Sequence, residues 1–568
     1  MRNFFSKPNI LLILLILVGA ELHFYNLNWG APFYFHPDER NIASAITQLS
    51  FPNQMNPHFF AYGSLPIYAI YFTAVIINFF SFPTFHFPLS PVTFEQAVIV
   101  GRIYSALLAT FLIPLLFVLG EKLKDKKTGL LAAFFATFSI GFTQFSHFGT
   151  FEMWLTFFGT LLFLLCLKYI SKPSAITLIF LSLVVGILAS IKVTSLVLVP
   201  IPILILAWHS FQKTRNTQKS GISETQMLRK SDLLSFQNFL KNILIFIFVA
   251  LLIYVITNPY VLLDQKDFLS SMNYESSVAI GTEPVFYTQN FDNTVPVVYQ
   301  FLKIYPFLLN PLLIILFILA FIFLLIQTIK TKNPSYLLLV TFYLILFLSQ
   351  VFLFVKWTRY MIPTMPFIYL IIPLALSNNG IMKQFSNSSR KSLKTFLLNS
   401  TLVICVIFTF SYFKTTFIND DSRIETVLFA QRAIPVDARI LSEPSDLGVL
   451  PFQDAFPNFT TFSFYDLDSN SPDATEEQLQ QDLSTAQYLV LPSQRILQSR
   501  ITNPTRFPKG YVFYKSLLNG SLGFKKIYET PCDMFCKITY LGDPTYWWEQ
   551  TVSVFDRPTV FIFKKSDI

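Results

Sequence analysis

Long apolar segments recur along the first 413 residues and are separated by shorter polar connectors. Most are about 18 to 22 residues long, which lets an α-helix cross a hydrocarbon layer about 30 Å thick. They predict membrane spans near residues 8–28, 98–120, 128–146, 151–170, 173–191, 194–209, 239–257, 307–327, 335–352, 361–377 and 395–413. The pattern therefore predicts a polytopic α-helical membrane protein with about 11 spans.

Basic residues are concentrated in four connectors between these spans, at 122–127, 213–241, 330–332 and 383–394. Lys and Arg are enriched in cytoplasmic loops, so these connectors are expected on the cytoplasmic side. This orientation places the N-terminus in the cytoplasm and everything after residue 413 outside. We expect a multi-pass protein of the plasma membrane.

The apolar stretch 64–82 is treated separately from the other spans. If it crossed the membrane, every later basic connector would lie outside. We therefore expect it to lie at the outer interface, or to enter and leave the same face.

The first span, 8–28, has an alternative interpretation as a secretory signal peptide. Its start is basic, and Val18-Gly19-Ala20 would be the cleavage site. The apolar pattern continues as far as Trp29, which favours an uncleaved span.

After residue 413 the long apolar runs give way to short strand-like pieces and turn residues. Strands are predicted at 439–441, 487–491 and 559–563, and helices at 422–433 and 475–485. The length, about 150 residues, suits one core. The chain is thus divided into a membrane domain, 1–413, and an extracytoplasmic mixed α/β domain, 414–568.

Composition and charge exclude two other classes of protein. A chain with 53% hydrophobic, 17% aromatic and 13% charged residues is not an average soluble globular protein. The net charge of +9 could suggest a nucleic-acid partner. However, the basic residues lie in short loops between apolar runs and not on a soluble basic surface, so no nucleic-acid partner is expected.

The four cysteines include one closely spaced pair, Cys532 and Cys536, on the predicted oxidising side. A disulfide and two free thiols both remain open for this pair. Cys166 and Cys405 fall inside spans and are expected to be small packing residues. No zinc-type Cys/His spacing and no Walker or Rossmann glycine pattern occurs.

Charged and polar residues interrupt the membrane region at positions that converge on its predicted outer rim. They are Asp38, Glu39, Arg102, His147, Glu152, Lys192, Lys356 and Arg359. Each also has a structural explanation. The Asp38-Glu39 pair could belong to a solvated loop, Lys192 could extend to lipid headgroups, and Arg359 could anchor an aromatic belt. Their convergence on one face favours a functional site.

Five segments carry a resemblance to a known family. They are His36-Pro37-Asp38-Glu39, Leu65-Pro66-Ile67-Tyr68, Gly101-Arg102-Ile103-Tyr104-Ser105, His147 to Glu152, and Arg359-Tyr360-Met361-Ile362-Pro363. In this order they resemble the GT-C superfamily of polyprenyl-phosphate-dependent glycosyltransferases. The likeness is greatest to glycosyltransferase family 39, which includes protein O-mannosyltransferases and the lipid A aminoarabinose transferase. One departure is Glu152, where those relatives usually have Asp.

The resemblance implies transfer of a sugar from a polyprenyl-phosphate-linked donor to an acceptor on the extracytoplasmic face. Asp38 is the candidate general base, and Glu39 is expected to orient an Arg or the acceptor. Arg359, supported by Lys356 or Arg102, is the candidate ligand of the carrier phosphate. Glu152 is expected to bind hydroxyls. His36, His147 and Tyr360, from the matching motifs, complete the expected substrate-binding set.

The expected partners are the lipid-linked donor, membrane lipid, and a protein, lipid or glycan acceptor. No cofactor is expected to be required. A divalent cation stays open, because paired acids can hold Mg²⁺ or Mn²⁺. Two other functions also stay open. A transporter or flippase would place its charges near the bilayer midplane between repeats, and a non-catalytic scaffold would not need Asp38, Glu152 and Arg359 to meet.

Overall fold

A computed structural model describes residues 7–81, 91–217, 224–283, 285–377, 388–443, 450–462, 464–465, 467–468, 476–542 and 548–566. Side chains 7–8, 81, 211–234 and 388–395 are outside this description. Helices form the chain as far as Ile418, and a small sheet with further helices follows. The predicted fold class, a polytopic helical membrane protein with a mixed α/β domain, is confirmed.

The membrane region consists mainly of long helices. Their bounds are Lys7–Phe24, Ser64–Ser81, Phe94–Leu123, Lys126–Thr137, Ile140–Ser146, Glu152–Ser171, Ala175–Ile191, Pro200–Thr217, Glu224–Thr257, Pro311–Thr331, Pro334–Val351, Met365–Ser377 and Ser388–Phe413. The basic connectors 213–241 and 383–394 lie partly outside the described residues.

Within the described ranges, eight helices are long and apolar enough to cross a membrane. A bent pair, Lys126–Thr137 and Ile140–Ser146, makes an angle of 53° and corresponds to the predicted span 128–146. Shorter apolar helices occupy Asn9–Phe24, Ser64–Phe80 and Ala175–Ile191. Every predicted span thus coincides with an apolar helix. The interfacial or re-entrant placement of 64–82 stays a prediction.

Short helices cover one end of this bundle. They are Pro37–Thr47, Tyr260–Leu263, Gln265–Ile280, Tyr305–Leu309, the 3₁₀-helices Phe286–Phe291 and Thr358–Thr364, and the π-helix Gln300–Ile304. A further 3₁₀-helix, Val193–Leu198, begins directly after Lys192. Pro37 is the first residue of its helix, where its fixed φ and missing N–H are tolerated. Asp38 and Glu39 in the first turn are favoured by the helix dipole.

The C-terminal region contains one five-stranded sheet. Its strands are β1 Ile440–Ser442, β2 Phe459–Thr461, β3 Tyr488–Leu491, β4 Phe524–Glu529 and β5 Phe561–Lys565, in the order β2-β1-β3-β5-β4. β1 is parallel to β2 and β3, and β5 is antiparallel to β3 and β4. The surrounding helices are Ser422–Ala433, Leu450–Ala455, Glu476–Thr485, Arg495–Thr502, Pro508–Leu518, Met534–Tyr540 and the π-helices Lys414–Ile418 and Thr551–Asp556.

The central strand β3 is buried on both faces. Leu489 and Leu491 belong to one apolar cluster, and Tyr488 and Val490 to another. Alternate side chains of a strand point to opposite faces, so β3 joins two small cores. The sequence predicted β1, β3 and β5, which carry apolar runs. It did not predict the edge strands β2 and β4, whose residues are largely exposed.

The sheet domain lies on the end of the bundle that carries the short helices. The Tyr412 hydroxyl donates to Asp556 Oδ1 at 2.8 Å, and Lys414 Nζ lies 3.4 Å from Asp533 Oδ2. A disulfide joins Cys532 and Cys536, which resolves the pairing that the sequence left open. Cys166 and Cys405 are buried free cysteines, as expected. The domain division at residues 413 and 414 stays a prediction.

Candidate functional site

Asp38 and Glu39 are adjacent in sequence but face different parts of the molecule. Successive residues of an α-helix are rotated by about 100° around its axis. Asp38 lines a large cavity, whereas Glu39 is 1% exposed and points into the bundle. The acidic pair is thereby divided into one carboxylate at the cavity and one in the core.

Glu39 forms a buried ion pair with Arg102. Arg102 Nε and Nη2 donate to the two oxygens of Glu39, each at 2.8 Å, and both side chains are fully buried. The same guanidinium donates to the carbonyls of Leu27 and Trp29. Gly149 N–H donates to Glu39 Oε1 at 2.5 Å, and a Cβ on Gly149 would lie 3.2 Å from that oxygen.

This pair changes the expected site. Arg102 and Glu39 do not line the cavity, so the structure does not bring Arg102 beside Arg359 as a phosphate ligand. The reason is that Arg102 is already held by a carboxylate and two carbonyls inside the bundle. It connects the helix Phe94–Leu123 to the helix Pro37–Thr47.

Asp38 pairs directly with Arg359. Arg359 lies in the 3₁₀-helix Thr358–Thr364, with its guanidinium 5.4 Å from the Trp357 ring centre and 5.8 Å from that of Tyr360. Burial by itself raises the pKa of Asp38. The positive charge of Arg359 opposes it, and the pKa lies below its usual value. Asp38 is thus held as a carboxylate.

The cavity that contains this pair has a volume of about 800 Å³. Its charged lining residues are Asp38, Glu152, Lys192, Glu275, Arg359 and Arg495. Its apolar lining includes Leu155, Gly159, Leu188, Val197, Leu198, Leu346, Leu353 and Pro363. The volume is within the range of small-molecule and cofactor sites.

Charged and apolar lining residues are separated along the helices. Glu152 begins the helix Glu152–Ser171, and Leu155 and Gly159 follow on its cavity side. Gly159 is about 10 Å farther along that helix than Glu152, at 1.5 Å per residue. The same order occurs at the start of the span Val193–Ser210, where the charged Lys192 is followed by the apolar Leu198. The cavity therefore has a charged mouth at the helix ends and an apolar groove between the spans.

Lys192 is the second cation from the membrane region that lines the cavity. Its Nζ lies 5.0 Å from the Tyr62 ring centre and 5.5 Å from that of Tyr360. Lys356, which the sequence favoured, is 4% exposed and donates to the carbonyl of Phe354 at 2.9 Å without lining the cavity. The sequence placed Lys192 at the predicted outer rim but did not include it in the expected substrate-binding set.

Glu275 also lines the cavity and was not singled out from the sequence. It belongs to the helix Gln265–Ile280, in the long connector between the apolar helices Ser235–Thr257 and Pro311–Thr331. Burial raises its pKa, and the charges of Arg359 and Lys192 oppose that shift. Several acids occur in this loop without a distinguishing pattern, so no sequence signal identified Glu275.

Glu152, His36 and Tyr360, three residues of the predicted substrate-binding set, line the cavity. Glu152 is 2% exposed, and neither carboxylate oxygen has a hydrogen-bond partner in the part of the chain that the structure describes. The His36 ring lies 4.5 Å from Phe148 and 5.2 Å from Phe555. Burial lowers the pKa of His36 and favours its neutral form.

His147 does not line the cavity. Its Nδ1 lies 2.7 Å from the Thr143 carbonyl, and its Nε2 lies 2.8 Å from the Tyr25 carbonyl. Its ring stacks on Phe417 with centroids 3.6 Å apart. The side chain is therefore used to join helices, and the expected contact with substrate is not part of this geometry.

The C-terminal domain contributes part of the cavity wall. Arg495, Thr551 and Phe555 are lining residues, and the Arg495 guanidinium lies 5.2 Å from the Phe555 ring centre. The sequence assigned no site residues to this domain, because strand and helix patterns do not reveal which residues face another domain.

One group of potential metal ligands lies outside the cavity lining. Ligand atoms of His58, Asp264 and Asp267 lie within 4.8 Å of one another. His58 and Asp267 are exposed, and Asn56 donates to Asp264 at 2.7 Å. Exposed acidic groups of this kind are common without a bound ion. No role for a metal follows from this group.

Comparison with known proteins gives one family match. A family model described as dolichyl-phosphate-mannose-protein mannosyltransferase matches residues 92–223. This segment contains Arg102, Glu152 and Lys192. A search of curated protein sequences gives no match.

Solved structures match nearly the whole chain. The oligosaccharyltransferase of Archaeoglobus fulgidus in its apo form is 12% identical, covers 98% of this chain and 88% of its own, and has a TM-score of 0.53. The same enzyme, AglB, in complex with an inhibitory peptide and a dolichol-phosphate is 11% identical, covers 98% and 88%, and has a TM-score of 0.52. ArnT from Cupriavidus metallidurans, bound to undecaprenyl phosphate, is 11% identical, covers 88% and 94%, and has a TM-score of 0.43.

Proposed function

We propose that the chain is a membrane glycosyltransferase of the GT-C superfamily and that it transfers a sugar from a polyprenyl-phosphate-linked donor to an acceptor. The observation that carries this proposal is the cavity in which Asp38 and Arg359 meet at the charged mouth of an apolar groove.

The shape and charge of the cavity fit a lipid-linked donor. A prenyl chain is apolar and would occupy the groove between the spans, where burial of apolar surface is favourable. The phosphate would lie at the mouth, where Arg359 and Lys192 supply positive charge. Arg can bind two phosphate oxygens at once through its planar fork. The donor would thus be oriented by both of its chemically different ends.

Arg359 and Asp38 would exchange partners when the donor binds. Without donor, the guanidinium is neutralised by the Asp38 carboxylate. A donor phosphate would take over the guanidinium and free the carboxylate for the acceptor. The two residues would then act on opposite sides of the sugar carbon that reacts.

In the proposed reaction, an acceptor hydroxyl or amine attacks the anomeric carbon. The new bond to that carbon forms as its bond to the phosphate oxygen breaks, and the bonding electrons leave with the polyprenyl phosphate. Asp38 takes the acceptor proton, a step that typically contributes about 10²- to 10⁴-fold. Direct displacement inverts the configuration of the sugar.

Other lining residues would bind the sugar and the acceptor. Glu152 has two oxygens available to hydroxyl donors, and Glu275 supplies a further carboxyl group. His36 and Tyr360 would form part of the wall around the sugar. The acceptor could be a protein, a lipid or a glycan. The proposed orientation has the N-terminus in the cytoplasm and the C-terminal domain outside the plasma membrane.

The test is transfer by the purified protein. A radiolabelled polyprenyl-phosphate sugar in vesicles is incubated with candidate acceptors, and release of unlabelled carrier and labelling of acceptor are measured. Transfer supports the proposal. Movement of intact donor between leaflets without cleavage would favour a transporter, for which the comparisons give no support. Activity after exhaustive chelation would indicate that no divalent cation is needed.

A further inference from the structure

Glu549, from the C-terminal domain, reaches the segment that carries Arg359. Its side chain is buried, with 1% exposure. Glu549 Oε2 accepts two hydrogen bonds from Thr358, one from the backbone N–H at 3.1 Å and one from the hydroxyl at 2.5 Å. A single carboxylate thus holds both donors of the residue that precedes Arg359.

The position of Thr358 gives these bonds a consequence for Arg359. Thr358 is the first residue of the 3₁₀-helix Thr358–Thr364, and Trp357 before it is extended. The first N–H groups of a helix have no partner within the helix, and a side-chain oxygen that accepts from them stabilises the helix start. Glu549 therefore fixes the backbone from which the Arg359 side chain extends.

The same segment of the C-terminal domain also touches the other half of the site. Thr551 and Phe555 line the cavity, and the Phe555 ring lies 5.2 Å from that of His36, two residues before Asp38. Residues 549–555 therefore contact both the segment of Arg359 and the segment of Asp38. Those two segments lie far apart in the sequence of the membrane domain, separated by 321 positions.

We infer that Glu549 is a positioning residue of the transferase: it sets the Arg359 guanidinium at the cavity mouth by holding Thr358. This inference rests on the proposed role of Arg359 in binding the donor phosphate. It also gives the C-terminal domain a part in donor binding. Glu549 itself is separated from the phosphate by Thr358 and does not act on the reacting atoms.

The experiment compares the full-length protein with its E549A, E549Q, T358V and R359A variants and with the double variant E549A/T358V. Binding of undecaprenyl phosphate without sugar is measured in detergent micelles, together with KM and kcat for transfer and the thermal midpoint. E443A is the matched control. Glu443 is also a fully buried carboxylate of the C-terminal domain, but it accepts from Tyr514 within that domain.

We expect E549A to weaken undecaprenyl phosphate binding and raise the donor KM by roughly 3- to 30-fold, the range for loss of a helix cap. The value of kcat should change much less. E549Q keeps an oxygen acceptor and should restore much of the affinity. T358V removes the Thr358 hydroxyl and so one of the two hydrogen bonds that Glu549 accepts. Its effect on donor affinity should not add to that of E549A. E443A should leave donor affinity unchanged.

Two results would overturn the inference in distinguishable ways. If R359A weakens phosphate binding and both E549A and T358V bind normally, Glu549 does not position Arg359. If R359A itself binds the phosphate as well as the unmodified protein, the proposed donor site fails and the inference fails with it. If E549A does not fold, T358V decides between these results, because E549Q is expected to bind well in either case.

Discussion

The Asp38 carboxylate and the Arg359 guanidinium pair inside one cavity, although 321 positions separate them in the sequence. Their segments lie at the ends of different spans, and the C-terminal domain contacts both. The proposed proton acceptor and the proposed phosphate ligand are thus held side by side near an apolar groove.

Asp38→Asn is expected to reduce transfer by at least about 10²-fold, because an amide cannot take the proton of the acceptor. The fold should be largely preserved, since the Asn oxygen can still accept a hydrogen bond from Arg359 and both side chains remain about one quarter exposed to the cavity. Transfer from labelled donor and the thermal midpoint are the two measurements. D267N, an exposed acid outside the cavity lining, is the control. Near-normal turnover by D38N would remove Asp38 from the mechanism.

Arg359→Ala is expected to weaken donor binding by about 10- to 100-fold, the range for losing a hydrogen bond to a charged group. Arg359→Lys should recover only part of this affinity, because Lys keeps the charge but lacks the planar fork. Titration with undecaprenyl phosphate measures both variants. Equal affinity of R359A and the unmodified protein would contradict the proposed phosphate site.

Glu39→Ala is expected to destabilise the protein by about 3 to 5 kcal/mol, because it leaves the Arg102 charge buried without its partner. Its effect should therefore appear in the thermal midpoint and in yield. D38N, one position away, is the matched comparison and should leave the midpoint nearly unchanged. Full stability of E39A together with lost turnover would instead indicate a direct catalytic role for Glu39.

Glu152→Gln is expected to lower kcat/KM for transfer without lowering the thermal midpoint. In the free protein Glu152 is buried, and its oxygens have no hydrogen-bond partner within the described residues, so neutralising it removes a desolvation cost. With substrate bound, the neutral amide is a weaker acceptor for hydroxyl groups. A midpoint well below that of the unmodified protein would show that Glu152 is structural.

Asp556 gives a prediction about pH. Burial raises its pKa from 3.8 to about 7, against hydrogen bonds from Tyr412 and Tyr540 and the charge of Arg423, and Asp421 raises it further. The folded state thus binds the proton more tightly than the unfolded state. This group therefore lowers stability as the pH rises from about 4 to about 7, and its effect is constant above that range.

Asp556→Asn keeps the neutral form at all pH values. The variant is expected to gain stability relative to the unmodified protein as the pH rises from 5 to 8, and to show a smaller slope over that range. Thermal unfolding of the full chain in detergent measures both slopes. Parallel pH dependence of the two proteins would show that Asp556 does not titrate in this window.

The sequence by itself determined the class of protein and most of its helices. Each predicted span carries enough apolar residues to fix its environment without help from the rest of the chain, because transfer from water to lipid depends on local composition. The buried strands β1, β3 and β5 were predicted for a similar reason. Edge strands carry no comparable apolar run and were missed.

Only the tertiary structure decided which polar residues share the site. Asp38, Glu152 and Arg359 line one cavity, but Arg102 pairs with Glu39, Lys356 donates to a backbone carbonyl, and His147 joins helices. The cavity is lined instead by Lys192, Glu275 and three residues of the C-terminal domain, Arg495, Thr551 and Phe555. The direction of a side chain at a helix end depends on helix rotation and on packing between distant segments, and a linear pattern does not contain either.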